Sequence, residues 1–170
     1  MHRKGYHGVG LNEILKQAKA PKGVLYHHFP GGKPNLGVAA IALSAGVFAR
    51  QIAEATEAAQ NRDDVLDALV QLTIDCLVST DYVAGCPLAT IALETAPQNA
   101  ELSAACDAGF RLWIDAIAAR LRAVGLNEEA AQVDAELMLA CLEGAMAIAR
   151  TRQDSAIVRR MADALRIQSP

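Results

Sequence analysis

The chain contains 170 residues, of which 52% are apolar, 4% are aromatic and 21% are charged, with a formal net charge of −3. This composition is typical of a packed helical protein with room for a core, and it argues against a β-sheet protein or a disordered chain. No apolar run looks long or uninterrupted enough to cross a bilayer and no signal peptide opens the sequence, so we expect a cytoplasmic protein without a membrane partner.

Charge is distributed unevenly along the chain. Residues 1–36 contain six basic residues and one acidic residue, a balance of +5, whereas the remainder contains ten basic and 18 acidic residues, a balance of −8. All four histidines also lie within residues 1–36. A basic segment joined to an acidic one is typical of a protein that binds a polyanion such as DNA with one part and stays dissolved through the other.

Two short helices are predicted between residues 11 and 29. In the first, apolar residues recur at helical spacing: Leu11, Ile14, Leu15 and Ala18. Lys19 interrupts this pattern. A second helix is expected to begin at Pro21, because the first position of a helix tolerates a residue without an N–H.

The second helix has two chemically different faces. Leu25 and Phe29 form a narrow apolar stripe, and His28 is expected to be partly buried and hydrogen-bonded. The other face carries small, basic and hydrogen-bonding residues, namely Lys22, Gly23, Val24, Tyr26 and His27. A helix anchored on one side with such groups on the other is suited to reading the DNA major groove.

The residues around these helices resemble a known family. The sequence G-Y-H-G-V-G-L-N-E-I-L-K-Q-A, followed by P-K-G-V-L-Y-H-H-F-P-G-G-K, closely resembles the DNA-binding domain of the TetR family of repressors. The signature of that family is K-G-x-L-Y-x-H-F followed by a lysine. A weaker resemblance, to the ligand-binding half of the lincomycin-resistance repressor subgroup, covers Gly85–Glu94 and Phe110–Trp113. The sequence departs from the family where Lys19 replaces a glycine and where Met1–Gly5 would supply only the last turn of the first helix.

The resemblance implies an all-α protein with two domains. Residues 1–36, called the head below, would be a helix-turn-helix DNA-binding domain with a truncated first helix. Residues 37–170, called the body, would be a helical bundle for ligand binding and dimerisation. The implied contacts with double-stranded DNA are to base edges from Lys22, Gly23 and Val24, and to phosphates from Tyr26, His27 and Lys33.

The body is predicted to be helical throughout. A long helix starts near Lys33 and runs to about Gln60, so it would carry the chain from head to body without a flexible linker. Capping residues, acidic first turns and prolines predict further helix starts at Asp63, Pro87, Asn99, Asn127 and Ser155.

The helix that begins after Asn127 is apolar on almost every side and therefore needs cover all round. A second subunit would provide that cover, so we expect a homodimer through the last two helices. The expected interface residues are Val133, Leu137, Cys141, Ile157 and Met161. The alternative is a central helix that lies wholly inside one subunit.

A pocket for a small-molecule effector is expected in the body. Its candidate lining residues are Leu72, Cys76, Leu88, Ile91, Phe110, Trp113, Ile117 and Met138. Candidate polar anchors are Thr90, Glu94 and Glu143. Effector pockets are mostly apolar with a few polar groups, but the same apolar residues could equally be ordinary core.

Enzymatic and metal-dependent functions are not predicted. The sequence has no nucleophile–base pair, no glycine-rich phosphate loop and no metal-ligand spacing. The four cysteines form no C-x-x-C motif, and no histidine follows His28. We therefore expect neither a catalytic site nor a cofactor.

Taken together, these features predict a dimeric transcriptional repressor that releases a palindromic operator when a small, largely apolar effector binds the body. The effector would act by tilting the long helix that joins head and body. The alternative is a helical small-molecule-binding or interaction module that has lost DNA binding.

Overall fold

The computed structural model describes residues 5–167, and within this range the chain forms eight α-helices and no strands. The all-helical prediction is confirmed. The helices are α1 (Leu11–Ala18), α2 (Lys22–His28), α3 (Lys33–Thr56), α4 (Arg62–Ser79), α5 (Pro87–Thr95), α6 (Ala100–Ala123), α7 (Glu128–Arg152) and α8 (Ala156–Ile167). The expected last turn of a preceding helix falls on Met1–Gly5, and all of it except Gly5 lies outside the described residues.

Three of the helices begin at an asparagine whose side-chain oxygen accepts a hydrogen bond from a backbone N–H three residues later. Asn61 accepts from Asp64 at 2.9 Å, Asn99 from Leu102 at 3.0 Å and Asn127 from Ala130 at 2.9 Å. Each cap satisfies one of the N–H groups that have no partner inside the helix. The predicted starts of α4, α6 and α7 are thus correct to within two residues.

The turn between α1 and α2 shows one confirmed expectation and one correction. Lys19 ends α1 in the left-handed conformation at φ 52°, where the missing glycine costs about 1 kcal/mol. Pro21 is the N-cap of α2 in extended conformation, so the prediction that it occupies the first helical position is wrong by one residue. Proline is tolerated at both positions because neither N–H would bond within the helix.

The core of the body forms around α3 and α6, which pack against each other more extensively than any other two helices. The close approach of α3 and α6 depends on glycines. A Cβ at Gly37 of α3 would lie 2.9 Å from Leu102 Cδ2, and one at Gly109 of α6 would lie 3.1 Å from Ala45 Cβ. As predicted, α3 runs without interruption from the head into the body.

One expectation about α3 is wrong. The helix has 24 residues, and an 18-residue stretch of it has a mean hydropathy of 1.6, so it is long and apolar enough to cross a membrane by those criteria alone. Apolar side chains lie on two of its faces, one buried and one exposed. Ile41, Ala45 and Ile52 are buried in the core, whereas Leu43 and Val47 are exposed. A core helix of a soluble protein passes the same test.

Helix α7 is not wholly internal, so the alternative of a fully covered central helix is wrong for the single chain. One side of α7 is buried in the core, including Met138 and Leu142. On the other side, Val133 is 58%, Leu137 41% and Ile148 43% exposed. The chain therefore carries an exposed apolar stripe along α7.

Candidate DNA-binding surface and effector cavity

Each of the two short helices of the head buries one leucine. Leu15 of α1 and Leu25 of α2 are 7% and 6% exposed, and Phe29 after α2 is half-buried. The backbone N–H of Ala20 bonds to the Leu15 carbonyl at 3.0 Å, which closes the end of α1. One face of α2 is thereby anchored to the protein, as the sequence predicted.

The opposite face of α2 is exposed. The residues expected to contact DNA from this helix all lie on it, namely Lys22, Gly23, Val24, Tyr26 and His27. A Cβ at Gly23 would meet nothing within 4 Å, so packing within the chain does not explain that glycine. The small residue instead leaves room for a partner to approach the backbone. His28 is also exposed, so the expectation that it is partly buried is wrong.

Lys33, the remaining predicted DNA contact, is the first residue of α3 and is half-buried. Its Nζ lies 4.6 Å from the centroid of the Tyr6 ring, a cation–π contact with a buried aromatic residue of the head. This contact holds the lysine side chain against the segment that precedes α1.

The body contains a cavity of about 680 Å³ bordered by α3, α4, the α4–α5 loop, α5, α6 and α7. Its lining residues are Ala40, Leu43, Ser44, Val47, Phe48, Gln51, Leu72, Asp75, Cys76, Ser79, Thr80, Gly85, Cys86, Pro87, Trp113, Glu143 and Met146. Cavities of this size hold drug-sized molecules. Three of the predicted lining residues, Leu72, Cys76 and Trp113, do border it.

The other predicted lining residues lie elsewhere. Ile117 and Met138 are both 0% exposed and belong to the packed core. Phe110 packs edge-on against Trp113 with 5.8 Å between ring centroids. Leu88 and Ile91 border a smaller cavity of about 340 Å³ between head and body, which Val9, Ile14 and Gln17 of the head also line.

Helix α3 supplies cavity residues that the sequence analysis missed. They lie at Ala40, Leu43, Ser44, Val47, Phe48 and Gln51. Their spacing of three and four residues marks one helical face, and that spacing was visible in the sequence. We expect the long connecting helix and the three helices that follow it to wall the pocket, but none of the residues predicted to line it lies in α3.

The charged groups in the cavity wall are acidic. Asp75 and Glu143 border it, and no lysine, arginine or histidine is among the lining residues that the structure describes. Burial raises the pKa of the Glu143 carboxyl above its ordinary value, and a hydrogen bond from the Cys86 thiol acts more weakly in the opposite direction. Burial and the neighbouring Glu143 also raise the pKa of Cys86. Ionisation of the Glu143 carboxyl is therefore less favourable in this wall than in water.

The other two candidate anchors point away from the large cavity. The Thr90 hydroxyl donates to the Cys86 carbonyl within α5 at 2.8 Å. Glu94 Oε2 accepts hydrogen bonds from the backbone N–H groups of Tyr6 at 2.7 Å and His7 at 2.8 Å. Glu94 thus joins the body to the head, a contact that no local sequence signal indicated.

The residues predicted for a dimer interface lie on α7 and α8. Val133 and Leu137 are exposed, whereas Cys141, Ile157 and Met161 are half-buried and pack against the core. Within residues 5–167, no group of three or more His, Cys, Asp or Glu side chains could hold a metal ion.

Comparison with known proteins gives matches over most of the chain. Residues 1–36 match the family described as "Bacterial regulatory proteins, tetR family", and residues 64–164 match "Transcriptional regulator LmrA/YxaF-like, C-terminal domain". The HTH-type transcriptional regulator LmrA of Bacillus subtilis is 32% identical over 153 residues, which cover 89% of this chain and 81% of that protein. The uncharacterized HTH-type transcriptional regulator Rv0196 of Mycobacterium tuberculosis is 33% identical over 91% of this chain and 80% of its own length.

Solved structures have the same fold. The regulatory protein TetR from Rhodobacter sphaeroides superposes with a TM-score of 0.81 and 24% identity, over 96% of this chain and 89% of that one. The reduced form of E. coli NemR superposes with a TM-score of 0.78 and 20% identity, over 96% and 87%.

Proposed function

Since the chain belongs to the TetR family of transcriptional regulators, we propose that it is a repressor that binds a palindromic operator as a homodimer and releases it when a small effector binds. Members of this family are transcriptional regulators, and the chain is not an enzyme. A soluble regulator acts where its DNA is, so we place it in the cytoplasm. Residues 1–36 would form the DNA-binding domain and residues 37–170 the regulatory domain.

The exposed face of α2 is the observation that carries the DNA-binding proposal. Its other face is anchored by the buried Leu25, and Gly23 leaves the backbone open to an approaching partner. We assign base contacts to Lys22, Gly23 and Val24, and phosphate contacts to Tyr26, His27 and Lys33. Hydrogen bonds and methyl contacts in the major groove distinguish bases, whereas phosphate contacts position the domain.

The exposed apolar stripe of α7, continued by α8, supports the dimer. Large exposed apolar side chains such as Val133 and Leu137 are costly in water unless a partner covers them. A second copy placed with twofold symmetry would bring the same surface of each subunit together. Ile157, Met161 and Cys141 border this surface and would complete it.

The effector would occupy the cavity of about 680 Å³. Its wall offers the carboxyls of Asp75 and Glu143 and no cation among the described lining residues, so an anionic effector would find no charge partner there. We therefore propose a largely apolar effector, neutral or cationic, with a hydrogen-bond donor directed at Glu143. Occupancy would tilt α3, whose side chains line the cavity and whose first turn adjoins the head.

The test is selection of bound duplexes from a random pool by the full-length protein, followed by titration at several salt concentrations. We expect a palindrome whose half-sites lie about 34–36 Å apart or a multiple of this. Size-matched hydrophobic amines, neutral amides and carboxylates are then added. Amines or neutral amides should lower the affinity for the operator, and carboxylates should not. Failure to select any duplex would favour the alternative, a helical module that binds a small molecule without DNA. Equal affinities with every compound would remove the effector from the proposal.

A further inference from the structure

The carboxylate of Glu94 makes a specific joint between body and head. A single oxygen, Oε2, accepts from the backbone N–H groups of both Tyr6 and His7, at 2.7 and 2.8 Å. Gly5 lies against the same carboxylate in the left-handed region at φ 72°, and a Cβ there would lie 1.7 Å from Glu94 Oε1. A side chain at position 5 would therefore displace the Glu94 carboxylate from the two N–H groups that it accepts. A carboxylate oxygen that accepts hydrogen bonds from two backbone N–H groups makes a strong contact.

The segment held by Glu94 supports the rest of the head. Residues 5–10 form turns and precede α1 without belonging to a helix. The Tyr6 side chain is buried and lies beside Gly37 of α3, and its ring faces the Lys33 ammonium. The side chain of Tyr6 thus docks on α3 while its backbone docks on α5. The head is fixed to two helices of the body, and only one of them is continuous with it.

Helix α5 also borders the effector cavity. Cys86 and Pro87, at its N-terminal end, line that cavity, and Glu94 is the eighth of its nine residues. The two ends are about 10 Å apart at the rise of an α-helix. A short helix moves as one body, so a displacement at Pro87 reaches the contact with Tyr6 and His7.

We propose that Glu94 is a positioning residue for DNA recognition, which holds the head in its DNA-binding orientation through a helix whose other end lines the effector cavity. This inference rests on the proposed repressor function. Glu94 touches no DNA in this scheme. It acts by fixing the turn that carries α1 and α2.

The test compares E94A with wild type in binding to the selected operator, using the full-length protein. Removing a negative charge would by itself strengthen binding to DNA, because it lessens repulsion by phosphates. Loss of the joint predicts the opposite, a weakening of about tenfold, equivalent to about 1.4 kcal/mol. The salt slope should stay unchanged because no phosphate contact is lost. E101A is the matched control, since Glu101 is an exposed glutamate in the first turn of α6.

A second variant approaches the same joint from the head. G5A would push the Glu94 carboxylate away and should weaken binding to a similar extent, whereas G10A should not, because a Cβ at Gly10 meets nothing within 4 Å. The double variant G5A/E94A should be no weaker than either single variant, since both remove one contact. Full additivity would overturn the proposal, and so would an E94A protein that binds as tightly as wild type.

Hydrogen exchange separates this inference from the repressor proposal. The amides of Tyr6 and His7 should exchange faster in E94A and G5A, while exchange in α6 and α7 stays as in wild type. This result requires no DNA, so it stands even if the selection finds no operator. Unchanged protection of both amides would show that Glu94 does not hold the head.

Discussion

The indole Nε1 of Trp113 in α6 donates a hydrogen bond of 2.9 Å to the backbone carbonyl of Ala45 in α3. The indole is 2% exposed, its ring centroid lies 4.7 Å from that of Phe48, and it borders the cavity of about 680 Å³. One side chain thus joins the two main helices of the core and forms part of the wall of the cavity. A buried Trp N–H without a partner would be costly, so this bond holds the ring in one orientation.

Replacing Trp113 by Phe should lower the free energy of unfolding by about 1–3 kcal/mol, because a buried hydrogen bond and part of the ring volume are lost. Urea unfolding followed by circular dichroism measures the change. The control is L112A at the neighbouring, 43% exposed position, which should change stability by about 0.5 kcal/mol or less. Equal effects of the two substitutions would contradict the role given to Trp113.

Adding a methyl group at Gly109 should destabilise the body. The new Cβ would lie 2.4 Å from Leu88 Cδ2 and 3.1 Å from Ala45 Cβ. Leu88 borders a small cavity into which its side chain can turn, but the Ala45 methyl is attached directly to the backbone of α3 and cannot rotate away. Overpacking of this kind costs about 1–3 kcal/mol. G46A is the matched control in α3, where a Cβ meets nothing within 4 Å. It should stabilise the helix by up to about 1 kcal/mol. Thermal unfolding distinguishes the opposite signs.

Stability should depend on pH through Glu143. Its pKa is raised by burial from the ordinary value of 4.5, so the folded state keeps a proton that the unfolded state releases. Below pH 4.5 the carboxyl is neutral in both states and imposes no cost. As the pH rises from there through the raised value, stability is lost. E143Q should avoid that loss, so the stability of the variant relative to wild type should increase with pH.

Urea unfolding of wild type and E143Q between pH 4 and pH 8 measures this difference. E129Q, at an exposed position in the first turn of α7, controls for the removal of one carboxylate. Parallel stability curves for wild type and E143Q would show that Glu143 does not titrate differently in the folded protein.

Lys33 is expected to contact a phosphate. K33A should weaken binding to specific and random duplexes alike and reduce the slope of log K against log salt by about one unit. R111A is the control, because Arg111 is exposed on α6 in the body and pairs with Asp107. An unchanged slope in K33A would leave the ammonium group with its cation–π contact to Tyr6 as its only role.

The apolar stripe of α7 should hold the dimer together. L137E would place a charge in the interface and should convert the protein to monomers at micromolar concentration in sedimentation velocity. V78E introduces the same charge at a 57% exposed position of α4 and should leave the oligomeric state unchanged. A wild-type protein that sediments only as a monomer at tens of micromolar would refute the dimer itself.

Some features of the site could be predicted and others could not. The apolar stripe of α2 and the exposed face opposite it follow from the spacing of Leu25 and Phe29. The cavity lining was predicted poorly, because apolar residues at helical spacing look the same whether they face other side chains or empty space. Met138 and Leu43 illustrate this: the first is fully buried in the core and the second is 71% exposed beside the cavity.

The helices, most of their ends to within a few residues, and the family could be predicted from local patterns in the amino-acid sequence. Asparagine caps, prolines and apolar periodicity act over a few neighbouring residues, so they can be recognised without knowing the fold. The face of α3 that borders the cavity, and the contact of Glu94 with Tyr6, 88 residues away along the chain, could be seen only in the packed structure. Such contacts depend on how whole helices pack, because the hydrophobic effect that drives packing has no direction and does not select a particular partner.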